Sequence, residues 1–253
     1  MTVVEFALLL VAGIAGGLFG TIAGLASLAT YPALLAVGLS PVSANVTNTV
    51  ALVFTGIGSV LSSRPELVGQ GPRIRRLAPM AVLGGVIGAA LLLSTPAEGF
   101  EKIVPALIGF ASLTILVPRR PPPEGHIAGS ATPRTRLVEA LGMAVICIYG
   151  GYFGAAAGVL LLAMLLHTTH DTLPRANALK NTVLGCANGI AALIFIFLAP
   201  VDWAAVVPMS IGCLIGAWLG PKVVRWAPVT LLRYLIGAAG LGLAVHLAIQ
   251  AYG

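Results

Sequence analysis

The sequence predicts an all-α polytopic membrane protein with two inverted structural repeats. Each repeat is a glycine-broken helical hairpin followed by three transmembrane helices. Composition, an internal repeat and the placement of basic residues predict this fold. Only 9% of the 253 residues are charged, against roughly 25% in soluble domains, and 58% are hydrophobic. The mean hydropathy of +1.01 excludes a soluble domain, so the pI near 9.7 does not indicate nucleic-acid binding.

An internal repeat divides the chain into two halves. Four glycines of the first half, at 16, 17, 20 and 24, recur at 150, 151, 154 and 158. Two further motifs follow in each half, namely Ala44-Asn45 with Asn48-Thr49-Val50 and then Ala176-Asn177 with Asn181-Thr182-Val183. Matches in this order and of this length indicate that the two halves share one architecture.

The first repeat covers residues 1–118. Residues 2–38 are apolar, but two full crossings need about 40 residues plus a turn and one crossing needs about 20. This stretch therefore predicts a hairpin of shortened helices that meet at the glycine break, 16–24. Glu5, with no Lys or Arg before the apolar run, argues against a signal peptide. Ordinary spans are predicted at 43–62, 77–95 and 103–117.

The second repeat covers residues 137–253 and follows a basic cytoplasmic linker, 119–136. Its hairpin is the apolar stretch 137–166, which breaks at the second glycine set. Three spans complete it, at 181–200, 203–219 and 230–250. Whether each hairpin is two short crossings or a re-entrant loop stays open at this stage.

Basic residues orient the chain in the membrane. If the second hairpin returns to the side it left, every Lys and Arg except Lys102 lies inside. If it crosses once, the last five basic residues move outside. The positive-inside bias favours the first arrangement. Span 43–62 then runs inward, span 181–200 runs outward, and both termini lie outside.

The two glycine breaks predict a binding site near the membrane midplane. A broken helix is tolerated in lipid only where protein or water covers its freed N–H and C=O groups. Helix N-termini at the breaks carry partial positive charge and favour an anion. The candidate binding glycines are Gly20, Gly24, Gly154 and Gly158. The alternative role for these glycines is close helix packing, which membrane bundles also use.

Polar side chains at the start of one span in each half are further candidates for substrate binding. They are Asn45, Asn48 and Thr49 in the first half, and Asn177, Asn181 and Thr182 in the second. The asparagines are three or four residues apart, so each pair shares a helix face. Amides and hydroxyls can replace the hydration of an anion, although the same residues also favour N-caps.

Lys180 lies inside the second of these polar segments. An ammonium at this position can neutralise a bound anion, or it can extend to the inner interface as an anchor. Glu5 and Glu139 precede the two breaks and are candidate proton carriers, although their places near span ends favour wet surroundings.

Other chemistry has little support. The cysteines, at 147, 186 and 213, lie in apolar surroundings, and no Cys or His pair has metal-ligand spacing. We therefore expect no disulfide, metal or cofactor. His167 and His170 fit an interfacial loop better than a common ligand. No phosphate-binding loop for ATP is present, so ion or substrate gradients must drive any transport.

The repeated segments resemble the TauE/SafE sulfite exporter family, also called TSUP, over nearly the whole chain. The resemblance is carried by the glycine break with Tyr31-Pro32-Ala33-Leu34-Leu35, by Ala178-Leu179-Lys180-Asn181-Thr182, by Ala187-Asn188-Gly189, by Val201-Asp202-Trp203 and by 212–220. It implies secondary transport of a small anion such as sulfite, sulfoacetate or a related sulfonate. It also implies a bacterial or archaeal inner membrane, with a proton or cation as a candidate coupling ion.

Two departures concern the site rather than the fold. Family members often have a denser glycine run where this chain has Gly24-Leu25-Ala26-Ser27, and the second half has no counterpart of Pro32. Two alternative functions remain. An intramembrane enzyme lacks a recognisable nucleophile and base among Ser27, Ser43, Ser210 and His246, and a structural membrane subunit is the other alternative.

Overall fold

The computed structural model describes residues 1–116, 133–168, 171–223 and 229–252. Within these ranges the chain is all-α, as predicted. Its helices are α1 (Val3–Ala23), α2 (Ala26–Ala36), α3 (Pro41–Ser62), α4 (Arg64–Leu67), α5 (Gly71–Ser94), α6 (Ala97–Leu116), α7 (Pro133–Tyr152), α8 (Ala157–Thr168), α9 (Leu173–Leu198), α10 (Trp203–Val223) and α11 (Val229–Tyr252).

Five of the described helices are long and apolar enough to cross a membrane: α1, α3, α5, α9 and α10. The expectation of two shortened helices in each hairpin was wrong for the first arm, because α1 has 21 residues. Only the returning helices are short, with 11 residues in α2 and 12 in α8. The apolar part of α7 is also short, at Ala140–Tyr152.

Each helix break covers fewer residues than the repeated glycines suggest. Helix α1 runs through its first three repeated glycines and ends only at Gly24, which has a left-handed backbone with φ of 76°. In the second hairpin the chain leaves the helix after Tyr152. Gly154 (φ 74°) and Ala156 (φ 60°) then make the turn. The helical glycines have a different use, which is close packing.

Glycine seams join the first arm of each hairpin to a span of the other half. Helix α1 packs along α10, and a Cβ on Gly17 would lie 2.7 Å from the backbone nitrogen of Ala217. Helix α7 packs along α5 in the same way, and a Cβ on Gly151 would lie 2.7 Å from the carbonyl oxygen of Gly85. Gly17 and Gly151 therefore serve close helix packing.

The two spans that follow the hairpins, α3 and α9, cross each other and run antiparallel. At one end, Ser43 Oγ donates to the Pro200 carbonyl at 2.9 Å, so the start of α3 lies beside the end of α9. At the other end, Gln70 Nε2 donates to the Arg175 carbonyl at 3.0 Å, so the segment after α3 lies beside the start of α9. This antiparallel pair is compatible with inverted halves, and the inverted repeat stays a prediction. The orientation of the chain in the membrane stays a prediction.

The same end that holds the start of α9 gathers described basic residues. Arg73 pairs with Asp171, and Arg175 lies 3.7 Å from the same carboxylate. Arg175 also donates to the Val68 carbonyl at 3.1 Å. The first basic loop and the start of α9 therefore share one face of the protein, which we call the basic face.

Candidate functional site

A cavity of about 60 Å³ lies where both hairpin breaks meet α3 and α9. Its wall is made of glycines, small polar side chains and two leucines. The lining residues are Gly20, Gly24, Ala26, Ser27, Leu52, Thr55, Gly56, Ser59, Gly154, Gly158, Asn181, Leu184, Gly185 and Asn188. This wall contains no Asp or Glu, and residues of both halves contribute to it.

The first turns of both short helices border the cavity. Ala26 and Ser27 open α2, and Gly158 is the second residue of α8. The first N–H groups of a helix have no intrahelical partner, and Leu25 provides no side-chain cap for α2. In α8 the N–H groups of Ala157 and Val159 donate to the carbonyls of Gly154 and Ala156 in the preceding turn. The partial positive charge of two helix ends from different halves therefore points to one space, where it favours an anion.

The two breaks also touch each other beside the cavity. A Cβ built on Gly24 would lie 2.5 Å from the Gly158 Cα, and a Cβ on Gly158 would lie 2.5 Å from the Gly24 Cα. No side chain larger than hydrogen fits at either position without a shift of backbone. The equivalent fourth glycines of the two halves are thus the contact between the breaks.

Five of the eleven residues predicted as substrate-binding line the cavity, namely Gly20, Gly24, Gly154, Gly158 and Asn181. The structure does not place the other six on the wall. These are Asn45, Asn48, Thr49, Asn177, Lys180 and Thr182. Thr49 and Thr182 donate to carbonyls of their own helices, those of Asn45 and Ala178.

The asparagines are not N-caps, and that alternative was wrong. Helices α3 and α9 begin four residues before Asn45 and Asn177, and their N-cap residues are Ser40 and Thr172. The predicted start of the span 181–200 was eight residues too late, because the polar residues at the start of α9 lower the local hydropathy. The asparagines are therefore interior helix residues, and their amides must be satisfied by other elements.

Each half uses these amides to hold the broken helix of the other half. Asn45 Nδ2 donates to the Tyr152 carbonyl at the end of α7, at 2.8 Å. In the reverse direction, Asn177 Nδ2 and Asn181 Nδ2 donate to the Thr21 carbonyl in the last turn of α1, at 2.7 and 3.3 Å. Carbonyls in the last turn of a helix lack intrahelical donors, so these bonds cap both breaks.

Lys180 is fully buried, which contradicts the interfacial-anchor alternative. Its Nζ donates to the Gly20 carbonyl at 3.1 Å, in the last turn of α1. A cation is favourable at this negative end of a helix dipole. Gly20 lines the cavity, so the ammonium lies immediately behind the wall rather than on it.

Sequence analysis missed four polar residues of the wall: Ser27, Thr55, Ser59 and Asn188. The spacing of three of them could have indicated a shared helix face. Thr55 and Ser59 are four residues apart on α3, and Asn188 is seven residues after Asn181 on α9. Ser59 is 1% exposed, and its Oγ has no hydrogen-bond partner among the described residues. A buried hydroxyl without a partner on a cavity wall is suited to a polar ligand.

Buried aromatic rings pack together beside the second break. The Tyr31 ring, from α2, meets Phe153 edge-on at 5.3 Å, and Phe100 lies 6.1 Å from Phe153. All three residues are at most 3% exposed. The cavity itself meets α3 between Leu52 and Ser59, nearer the basic face. The side chains of Glu139, His167 and His170 lie outside the described residues.

Comparison with known proteins supports a transport role. The family model described as sulfite exporter TauE/SafE matches residues 8–247. The probable membrane transporter protein YfcA of Escherichia coli (strain K12) is 27% identical over 243 residues, covering 94% of this chain and 87% of that protein.

Two other relatives match over similar lengths. A probable membrane transporter protein of Haemophilus influenzae is 26% identical and covers 91% of this chain and 89% of its own length. The probable membrane transporter protein ORF9 of Sinorhizobium sp is 27% identical and covers 95% and 91%, respectively. No solved structure gives a significant match. Because the family model spans nearly the whole chain, this protein belongs to the sulfite exporter TauE/SafE family and is a membrane transporter, not an enzyme.

Proposed function

We propose that this protein is a secondary transporter for a small sulfur-containing or organic anion, such as sulfite, sulfoacetate or a related sulfonate. It would work by alternating access in the inner membrane of a bacterium or archaeon, driven by the substrate gradient or by a coupled proton or cation. One observation carries the proposal: the first turns of α2 and α8, from opposite halves, meet at one cavity whose wall has no acidic side chain.

The chemistry of the wall suits an anion that must also be released. Hydroxyls of Ser27, Thr55 and Ser59 and amides of Asn181 and Asn188 are the polar side chains of the wall. Together with the first N–H groups of α2 they can replace a hydration shell without a fixed charge pair. The buried ammonium of Lys180, one residue behind the wall, adds positive potential.

The size of the cavity favours a compact ion. At roughly 10–15 Å³ for each water, 60 Å³ holds about four to six waters, which is comparable to an oxyanion of about four to six heavy atoms. Within the proposed class, sulfite fits this space best. A longer sulfonate would need the wall to open.

The capping bonds between halves suit alternating access. Each broken helix is held by a span of the opposite half, through Asn45 in one direction and Asn177 with Asn181 in the other. A movement of one half against the other would therefore carry a helix end, and with it part of the cavity wall.

Flux into proteoliposomes tests the proposal. The panel is sulfite, thiosulfate, sulfoacetate and short carboxylates, with and without gradients of protons and sodium. We expect saturable uptake of a compact oxyanion by the wild type and its loss in Gly20→Leu, because a Cβ there already lies 2.7 Å from the Ala26 Cβ. The matched control is Gly189→Leu, since a Cβ on Gly189 meets nothing within 4 Å. The absence of protein-dependent flux for every anion in the panel would refute the proposal.

A further inference from the structure

Ser27 is the polar residue of the cavity wall that a second, buried residue orients. It is the second residue of α2, and it is only 5% exposed. Its Oγ accepts a hydrogen bond from Asn48 Nδ2 at 3.2 Å. Asn48 does not line the cavity and is 1% exposed, so it lies behind Ser27.

Thr30 determines which way the Asn48 amide points. Thr30 Oγ1 lies 2.5 Å from the Asn48 side-chain atom that faces it and 3.0 Å from the Ala26 carbonyl, so its one hydrogen has two acceptors within reach and the shorter separation is to Asn48. That separation suits an O–H···O bond, whereas N–H···O bonds begin near 2.7 Å. The facing atom is therefore the amide oxygen, and the NH₂ group of Asn48 must point to Ser27.

Because Ser27 accepts in its bond with Asn48, its own hydroxyl hydrogen is not used there and can be donated to another acceptor. A serine hydroxyl has one hydrogen to donate, and here its oxygen already accepts from Asn48. The described hydrogen bonds provide no protein acceptor for that hydrogen, and the residue borders the cavity.

We infer that Ser27 donates its hydroxyl hydrogen to the bound anion, and that Asn48 and Thr30 are positioning residues that keep Ser27 a donor. This inference rests on the proposed function and adds a specificity determinant to it. A fixed donor favours an anion oxygen that carries no proton at this point, because an O–H group of the ligand would face the Ser27 hydrogen.

We call the hydrogen-bonded chain from Thr30 through Asn48 to Ser27 the relay, and the second half has no equivalent of it. Three residues after Gly24 the chain has Ser27, whereas three residues after the matching Gly158 it has Leu161, which is fully buried. The donor is therefore present once in the site, and no symmetry mate can compensate for its loss.

Calorimetric titration of the purified full chain tests the relay. The probe is whichever of sulfite, thiosulfate and sulfoacetate the wild type binds most tightly. We expect Ser27→Ala to weaken binding about tenfold and Asn48→Ala to weaken it by a similar factor. The double variant should bind no more weakly than Ser27→Ala alone, because Asn48 acts through Ser27. The control is Ser94→Ala, whose hydroxyl bonds to carbonyls of its own helix at an exposed position.

Comparing the two single variants with the double variant shows whether Asn48 acts by positioning Ser27 or by stabilising the fold in general. A purely structural Asn48 would lower affinity equally with and without Ser27, and that additive result would overturn the inference. Unchanged binding by a folded Ser27→Ala would also overturn it. If Asn48→Ala does not fold, Thr30→Val replaces it, and its loss of affinity must vanish in the Ser27→Ala background. A wild type that binds none of the three probes would refute the proposed function itself, and this inference with it.

Discussion

The contact between Gly24 and Gly158 allows a prediction that separates backbone strain from the closeness of the two breaks. Gly158→Ala adds a methyl in an ordinary helical conformation, but its Cβ would lie 2.5 Å from the Gly24 Cα. Ordinary carbon contacts are about 3.5–4.0 Å, so the breaks must separate by roughly 1 Å. Overpacking of this kind costs about 1–3 kcal/mol. If only this conformation bears that cost, the balance between transport states shifts roughly 5- to 150-fold.

Two partner variants divide the cost into its parts. Gly38→Ala places a methyl at φ of 90° with no neighbour within 4 Å, so it measures the left-handed backbone cost alone, about 1–2 kcal/mol. Gly24→Ala combines both costs, at φ of 76° and with a Cβ 2.5 Å from the Gly158 Cα. We expect its loss of stability to be near the sum, about 2–5 kcal/mol.

The assays are thermal unfolding in detergent and anion flux in proteoliposomes. Gly38→Ala should lower stability and leave flux close to the wild-type rate. Gly158→Ala should lower flux although its backbone conformation is unstrained. Wild-type flux by a folded Gly158→Ala protein would show that the contact between the breaks is not part of the transport site.

Three further predictions follow from the contacts around the breaks and from the basic residues. Lys180→Gln should weaken anion affinity by about 1–3 kcal/mol in a binding titration, since it removes the ammonium behind the wall, and an unchanged dissociation constant would exclude that role. Asn45→Ala and Asn177→Ala should each lower the free energy of unfolding by about 1–3 kcal/mol, because the first leaves the Tyr152 carbonyl unpaired and the second leaves the Thr21 carbonyl with only the longer bond from Asn181; a change below about 0.5 kcal/mol in chemical denaturation would be evidence against the reciprocal capping. Single cysteines at position 68 and position 127 in a Cys-free background should both be labelled from the cytoplasmic side, and labelling from opposite faces would disprove the predicted topology.

Much of the architecture could be predicted because it depends on composition and repetition. Low charge and repeated apolar runs were enough for the all-α membrane fold, and the glycine sets located both hairpins. The helix ends could not be predicted as well. Polar residues such as Asn177 and Arg175 lie inside α9, where their side-chain N–H groups donate to carbonyls of other elements, and hydropathy alone moves the predicted start too far along the chain.

The sequence singled out the segments that border the cavity, but not the role of each residue in them. The repeat alone singled out the glycines at 24 and 158, and both line the cavity. The asparagines were expected to face the anion, but Asn45 and Asn177 cap the opposite half instead. Such bonds join residues more than a hundred positions apart, so local spacing carries no trace of them. The hydroxyls of Thr55 and Ser59 were missed because their spacing of four residues shows a shared helix face but not that this face borders a cavity.

The position of the anion in the protein tests the central claim most directly. Selenite is the heavier relative of sulfite, and its anomalous scattering locates it in a crystal without prior assumptions. We predict one strong peak in the cavity between the first turns of α2 and α8, within hydrogen-bond distance of Ser27 or Ser59. A peak elsewhere in the membrane region, with this cavity empty at saturating selenite, would contradict the account.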